Sequence, residues 1–384
     1  MAVVFWLSVA LLVYTYFLYP GLLWLLTIRK KVPRPEPPDA WPSVTVVIAA
    51  YNEAIVISDK IENTLALDYP ADRLQIVVVS DRSDDGTDEI AQAFEARGVV
   101  VERTAERSGK TVAQNAGVKL ADGEILVFSD ANSMYDPAAL KELVRAFGNP
   151  LVGCACGELT YLNPDDRSAG MGEGLYWRYE QFLKRHESAL SSLVGANGAI
   201  YALRRELFEN LEPDVISDLV MPLRVWRRGS RVTYVPQALA YEHTAHSFSQ
   251  EFQRRKRIIA RSLNGLMSQV GVLNPLKGMF AFQVLSHKVL RWAVPFILIT
   301  AFISSGLLLA EPIYAALFCF QTVFYAVALI GSMVPDRVSR FAVLYVPTYF
   351  CTLNLGALLG VLSFACGKRY AVWQPTQRTD APEE

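Results

Sequence analysis

The sequence predicts an α/β fold: a doubly wound, mostly parallel, Rossmann-like sheet joined to transmembrane α-helices. Three observations carry the prediction. Apolar, β-branched runs ending in polar residues alternate with helical periodicity through the first half of the charged middle, the pattern of buried parallel strands and covering helices. Charge is segregated along the chain: residues 1–28 carry no charged side chain, and between 293 and 367 only Glu311, Asp336, Arg337 and Arg340 do. The totals agree. A chain of 384 residues with 52% hydrophobic residues, 37 Lys+Arg against 38 Asp+Glu, and a mean hydropathy of +0.22 needs grease and charge kept apart. The net charge of -1 offers no basic surplus for a nucleic-acid partner.

The apolar ends come first. A helix needs about 20 apolar residues to cross a bilayer, and 3–28, 293–310, 312–333 and 341–366 qualify. The first lacks a basic leader and a small-residue cleavage site, so it reads as a retained anchor, with Tyr14, Tyr16, Tyr19 and Trp24 suited to an interface or bundle. Arg29, Lys30, Lys31 and Arg34 follow it, while Met1 to Phe5 carry no charged side chain. The positive-inside rule then puts the N-terminus outside a multi-pass cell-membrane protein and the charged middle in the cytoplasm. Four crossings would leave Lys368, Arg369 and Arg378 outside, against that rule. A re-entrant segment containing Pro347 and Asn354 is the alternative.

The resulting plan is a transmembrane helix at 1–28, a Pro-rich linker at 29–41, a cytoplasmic domain at 42–247, amphipathic interfacial helices at 248–292, about three transmembrane helices at 293–367, and a polar tail at 368–384. Inside the cytoplasmic domain, strands are expected at 43–50, 74–80, 99–101 and 125–129, with helices at 54–67, 86–97, 109–120 and 137–147. Ligands of open α/β sheets bind beyond the carboxyl ends of strands. Those ends carry Ala50-Tyr51-Asn52-Glu53, Asp81 and Asp130-Ala131-Asn132. No GxGxxG follows the first strand and no GxxxxGK[ST] occurs, which argues against a nicotinamide site or a P-loop. Asp84-Asp85-Gly86-Thr87 matches a turn and helix cap.

Beyond 150 the pattern changes. Strands at 152–162 and 197–203 flank a helix at 172–189 bearing Tyr176, Trp177, Tyr179 and Phe182, and a further helix spans 218–228. The basic amphipathic run 248–268 and the segment 271–292, ending in His287, Lys288 and Arg291, are expected along the membrane surface, apolar face down. Cys154 and Cys156 read as structural, and no disulfide framework is visible. Glu242, His243 and His246 have metal-compatible spacing but follow a strand-like stretch, which favours a structural reading.

PSVTVVIAAYNE at 42–53, VVVSDRSDDGT at 77–87, GKTVAQNAG at 109–117 and FSDAN at 128–132 resemble the nucleotide-binding half of inverting family 2 glycosyltransferases. GANGAIYALRR at 195–205, SDL at 217–219 and QRRKR at 253–257 resemble the acceptor half. The flanking apolar segments are similar to the membrane-embedded branch that contains the cellulose, hyaluronan, chitin and poly-N-acetylglucosamine synthases. The resemblance implies a GT-A type sheet. It implies a UDP-sugar donor near Ala50, Tyr51, Glu53 and Asp81, with Tyr51 stacking on the base and Asp81 reading the uracil edge.

Asp130 and Asn132 occupy the place of a D-x-D motif that holds Mg²⁺ or Mn²⁺, with Asn132 supplying an amide oxygen where the motif has an acid. Asp218 stands at the position of the family's base, which would deprotonate an acceptor hydroxyl; locally it also fits a helix cap. Lys110 fits either a phosphate contact or a solvated helix. Setting Arg257 on the Arg of Q-x-x-R-W, a diphosphate ligand in the family, puts Arg254 in place of Gln and Ile258 in place of Trp. These two, with Tyr176 and Trp177, are the candidates at the acceptor, although core packing is the commoner fate of such aromatics.

The implied function is sugar transfer to a hydroxyl of a glycan or lipid-linked acceptor, in β-polysaccharide or glycolipid synthesis, with membrane lipids and possible synthase-complex subunits as partners. The changed Q-x-x-R-W keeps open single addition to a ceramide or polyprenyl-type lipid. A nucleotidyltransferase would show a Gly-rich basic loop after the first strand, which IAAYNEA lacks. An inactive nucleotide-binding partner of a synthase complex is favoured only by Asn132.

Overall fold

A computed structural model describes residues 1–30, 34–162, 170–243, 248–334 and 341–372. Eight strands form one sheet in the order β3-β2-β1-β4-β7-β6-β8-β5. They are β1 (Val44–Ala50), β2 (Leu74–Ser80), β3 (Val99–Arg103), β4 (Ile125–Asp130), β5 (Met134–Tyr135), β6 (Val152–Leu162), β7 (Ile200–Arg204) and β8 (Arg231–His243). Strands β1 to β4 form the parallel half, and β6 pairs parallel with β8. Antiparallel β7 joins the two halves, pairing with β4 on one side and β6 on the other. All seven residues of β1 are buried, as expected of a strand covered on both faces.

Helices cover the sheet: α2 (Ile57–Leu65), α3 (Thr87–Gln92), α4 (Lys110–Lys119), α5 (Ala139–Arg145), α6 (Gly170–Leu190) and α7 (Ser217–Arg227). One face packs Val46, Ile48 and Val78 with Ile57, Ile61 and Leu140, and the other packs Phe128, Tyr201 and Leu203 with Val220 and Val225. Sequence reasoning did not anticipate β5, which is two residues long and takes its pairing from β8; the strand-like stretch before Glu242 is β8.

Among the described residues, four helices are long and apolar enough to cross a membrane: α1 (Ala2–Thr27), α9 (Met279–Gly306), α10 (Pro312–Met333) and α11 (Ala342–Ala365). Between them and the sheet lies α8 (Phe248–Ser268). The second apolar helix starts well before the expected 293 and absorbs most of the segment assigned to the membrane surface. The reason is visible in its polar residues. His287 is buried between Glu180 and Glu187 of α6, and Arg291 pairs with Glu180. These groups face protein and not headgroups, so the helix continues through them, with a π-helical turn at Leu285–Val289.

Helix α11 touches the sheet-bearing part of the chain at both ends. Near its start Tyr349 meets Tyr176, and after its end Arg369 pairs with Asp214 at 2.6 Å. Arg337, Arg340, His246, Trp373 and Arg378 lie outside the described residues.

Candidate active site

Register builds the site. Ala50 stands opposite Ser80, and Ala49 opposite Asp130, so β1, β2 and β4 end level with one another. Their next residues therefore share one edge. Tyr51 is buried, with the Arg107 guanidinium 3.9 Å from its ring centroid. Asn52 takes a left-handed backbone (φ 53°) and exchanges hydrogen bonds with Asp84, at 2.7 and 3.1 Å. The backbone N–H of Glu53 donates to the Thr87 hydroxyl at 2.9 Å. Asp85 accepts from the N–H groups of Ala54 and Thr87, which is the turn and cap expected of Asp84-Asp85-Gly86-Thr87. Burial alone would raise the Asp85 carboxyl, but these bonds and the Thr87 hydroxyl hold it below its ordinary value.

Asp81 is fully buried, and its oxygens accept hydrogen bonds from the loop before α4. Oδ1 accepts from the Ser108 N–H and Oδ2 from the Gly109 N–H, each at 2.8 Å, with the Thr104 hydroxyl at 3.3 Å from Oδ1. Asp81 thus fixes the loop 104–109 that leads into α4. A Cβ at Gly109 would collide with the carbonyl of Ala371, so the segment after α11 rests directly on this loop.

The centre of the site is Gly198. The ammonium of Lys110, at the start of α4, pairs with Asp130 at the end of β4 and stands 3.5 Å from the Gly198 carbonyl. The Gly198 N–H donates to Asp218 Oδ2 at 3.1 Å, from the first turn of α7. A Cβ at Gly198 would lie 3.1 Å from Lys110 Nζ, 3.2 Å from Asp218 Oδ2 and 3.8 Å from Asp130 Oδ2. Three sequence candidates spread over more than a hundred residues thus converge on one glycine. Beside it, Asn197 Nδ2 is buried without a hydrogen-bond partner among the described residues. Burial pushes the Asp218 carboxyl above its ordinary value; Lys110 opposes this and Asp130 adds to it. Asn132 follows in the turn after β4, half-buried.

Two further charged groups lie beneath Asp130. Lys60 of α2 is fully buried, donates to the Ser133 carbonyl at 2.5 Å and sits over the Tyr135 ring. Burial pulls its ammonium down to about 7, and Asp130 and Glu242 limit the fall. Glu242 bonds the Ser133 hydroxyl, and burial and Asp130 raise its carboxyl. Among the described residues no three His, Cys, Asp or Glu side chains cluster as a metal site. In sequence Lys60 looked like any solvated helix lysine, and no local signal marks it.

The other candidates form a separate layer. Trp177 donates its indole N–H to the Leu159 carbonyl at 2.5 Å and packs against Tyr161 and the core. Tyr176 lies between the guanidinium groups of Arg255 and Arg291. Arg254 pairs with Glu251 at 3.6 Å, and Ile258 is half-buried. Burial and the neighbouring Arg254 lower the Arg257 pKa. Arg261 of α8 also enters the sheet domain, bonded to Thr111 Oγ1 at 2.8 Å and to the carbonyls of Pro213 and Val215.

Residues 45–212 match the family described as Glycosyl transferase family 2. Those residues are thus similar to a family 2 glycosyltransferase domain. It is 24% identical over 272 residues to a probable glycosyltransferase, YdaM, of Bacillus subtilis (strain 168), a match covering 65% of this chain and 62% of that protein. It is 24% identical over 228 residues to the poly-beta-1,6-N-acetyl-D-glucosamine synthase of Staphylococcus aureus (strain COL), covering 57% of this chain and 54% of the synthase. The matches thus span little more than half the length of these relatives. A mannosyltransferase from Pyrobaculum calidifontis, solved with GDP-Man and Mn²⁺, superposes with a TM-score of 0.73 at 23% identity, over 95% of this chain and all of that one. The shared fold is GT-A, including the apolar helices.

Proposed function

We propose that the enzyme transfers a sugar, with inversion, from a nucleoside-diphospho-sugar, a UDP-sugar in our reading, to a hydroxyl of a glycan or lipid-linked acceptor at the membrane. The observation that carries the proposal is the convergence of Asp130, Lys110 and Asp218 on Gly198, at the level ends of the parallel strands. Asp218 is the base. Its raised carboxyl suits it to accept a proton near neutral pH. The acceptor O–H bond breaks as its oxygen bonds to the anomeric carbon, the proton passes to Asp218, and the nucleoside diphosphate leaves with the electrons of the old C–O bond. Lys110, with Arg257 from α8, offers positive charge to the departing diphosphate. The loop 104–109, braced by Asp81, borders the nucleotide, with Ala50, Tyr51 and Glu53 on its other side. The Asn197 amide is a spare donor for a sugar hydroxyl.

A carboxylate and an amide oxygen two residues apart suit a hard divalent cation, which keeps waters and takes substrate phosphates as further ligands. Asp130 and Asn132 would hold it. Bound Mg²⁺ or Mn²⁺ would neutralise charge on the leaving diphosphate.

In this reading α1, α9 and α10 cross the membrane and α11 returns to the sheet side along α8, an odd number of crossings that keeps both Arg29 and Arg369 in the cytoplasm. Tyr176, Arg254 and Ile258 then border the acceptor path, and Trp177 is a core residue.

The test is a donor screen on purified protein in nanodiscs, with UDP-sugars and GDP-mannose, with and without Mn²⁺ or Mg²⁺, following nucleotide release and product size. Cation-dependent release from one donor is expected. Release from none overturns the proposal.

A further inference from the structure

Lys60 breaks the pattern of its own helix. Ile57, Lys60, Ile61 and Thr64 form the buried stripe of α2, at the spacing an amphipathic helix gives its core residues. A lysine in that stripe loses the hydration of its ammonium, which is costly unless the group is bonded in return. Here the ammonium is fully buried and donates to the Ser133 carbonyl at 2.5 Å, with the Tyr135 ring centroid 3.8 Å away. Both partners belong to the segment that follows Asp130 and Asn132.

That segment has little ladder of its own. Strand β5 pairs Met134 with Tyr241 and Tyr135 with Ala240, and is no longer than those two residues. Side chains from both flanks hold the rest. One helical turn after Lys60, Asn63 donates from Nδ2 to the Tyr135 carbonyl at 2.9 Å and accepts from the Tyr135 N–H at 2.7 Å. From the other side, Glu242 of β8 bonds the Ser133 hydroxyl. The Ser133 N–H reaches back to the Asp130 carbonyl at 3.3 Å and closes the turn that carries Asn132. The Tyr135 hydroxyl donates to the Ala199 carbonyl at 3.0 Å, next to Gly198.

Resting on the reading that Asp130 and Asn132 face the donor's diphosphate, we propose that Lys60 is a positioning residue for donor binding. Its bond to the Ser133 carbonyl fixes the peptide after Asn132, and with it the place where the Asn132 amide and the Asp130 carboxylate meet the diphosphate and its cation. Lys60 itself is sealed from the ligand. Lys110 acts on Asp130 from the open side by a direct ion pair, and Lys60 acts from the protein side through the main chain. Partners that orient a ligating residue are typically worth about 10–100-fold in affinity. A small displacement of a site by a distant change has effects of the same order.

The test uses the full chain in nanodiscs, with UDP or GDP and the donor as the screen identifies them. Lys60→Met keeps an unbranched chain of similar length and removes the N–H donors. Calorimetry of diphosphate binding in the presence of Mn²⁺ should show the Kd raised about tenfold. The donor KM should rise by the same factor, kcat at saturation should fall less than about threefold, and the acceptor KM should not move. A double-mutant cycle with Asp130→Asn gives a readout that a merely structural lysine would not change. Once the Asp130 carboxylate is gone, Lys60→Met should cost less than about threefold in Kd. An unchanged Kd overturns the inference whatever the melting temperature does, and so do additive losses or a loss confined to kcat or to the acceptor KM. If Lys60→Met does not fold, Asn63→Ala loosens the same segment with the ammonium retained. A rise of about threefold or more in Kd is then expected, and an unchanged Kd overturns the inference. If Asp130→Asn itself leaves diphosphate binding with Mn²⁺ unchanged, the donor reading of the site has failed. If it weakens binding and Lys60→Met does not, only the positioning role has failed.

Discussion

Asp218 and Glu180 are two carboxylates withdrawn from water near the same junction, and their surroundings treat them oppositely. For both, burial is the largest influence and disfavours the charge. Glu180 overcomes it through direct partners: the Arg291 guanidinium, His287 at 3.3 Å and the charge of Lys288 hold its carboxyl well below the ordinary value. Asp218 has one backbone N–H at 3.1 Å, cations at longer range, and the repulsion of Asp130, and its carboxyl stays raised. The first arrangement fixes α6 to α9. The second leaves the proposed base unsatisfied. Buried charge in this protein is thus divided between a junction that completes its pairs and a site that leaves them incomplete, as perturbed groups at functional sites tend to be.

Replacing each acid sharpens that contrast. Asp218→Asn should lower kcat about 10²–10⁴-fold, the usual contribution of a positioned base. A raised folded-state pKa contributes stability below the unfolded value of 3.8 and loses it as pH rises through the folded value. At neutral pH the wild type therefore bears the cost of the charge, and the variant should melt no lower than the wild type. The difference should close below pH 3.8. In the wild type, activity should fall on acidification along a limb lying above pH 3.8. A variant that keeps its activity, or one that unfolds, would erase the distinction between the two acids.

Glu180→Gln should do the reverse, destabilising by about 3–5 kcal/mol because it strands a buried guanidinium. The sign also reverses with pH. A depressed pKa gives stability that is complete above the unfolded value of 4.5 and is lost as pH falls through the folded value, so the gap to wild type should narrow in acid. Thermal melts at pH 7 and pH 4 measure it. A melting temperature equal to that of the wild type would mean that the pair does not hold the junction.

Gly198→Ala tests the tightness of the site. Its methyl would sit 3.1 Å from Lys110 Nζ and 3.2 Å from Asp218 Oδ2, so both ends must give by a few tenths of an ångström. Overpacking of this kind costs about 1–3 kcal/mol, and a loss of about tenfold in kcat/KM is expected. Unchanged kinetics would mean that the three groups need not meet over this glycine.

The difference between the two regions also decides what the sequence could reveal. Strands β1, β2 and β4 were legible because burial on both faces forces continuous apolar runs, and their polar ends marked Asp81 and Asp130 at once. Asp218 and Lys110 were readable as members of short motifs. The junction left no such trace: Glu180 and His287 are 107 residues apart in sequence, and each alone reads as an ordinary helix residue. The run ending in His287, Lys288 and Arg291 even pointed to the membrane surface, because basic residues beside an apolar helix commonly lie there. Lys60 was hidden for the same reason, since its burial depends on Ser133, 73 residues away. The contacts of Asp81 were not legible, because a carboxylate at a strand end looks the same in sequence whether or not it accepts from the N–H groups of Ser108 and Gly109.

The smallest expected effect concerns Asn132. The turn after Asp130 already holds negative charge close by, with Glu242 near Asp130 and Lys110 paired to it. Asn132→Asp adds a second acid two residues on. A cation bound there gains one anionic ligand, so the Mn²⁺ concentration for half-maximal activity should fall about tenfold, or about 1.4 kcal/mol. The added charge would also draw Lys110 more strongly, which works against release of the diphosphate and should leave kcat level or lower. A drop in the Mn²⁺ requirement without a gain in kcat would place the cation at this turn. No change in the Mn²⁺ requirement would move it away from Asp130, and the donor side of the comparison would then rest on Lys110 and Arg257 alone.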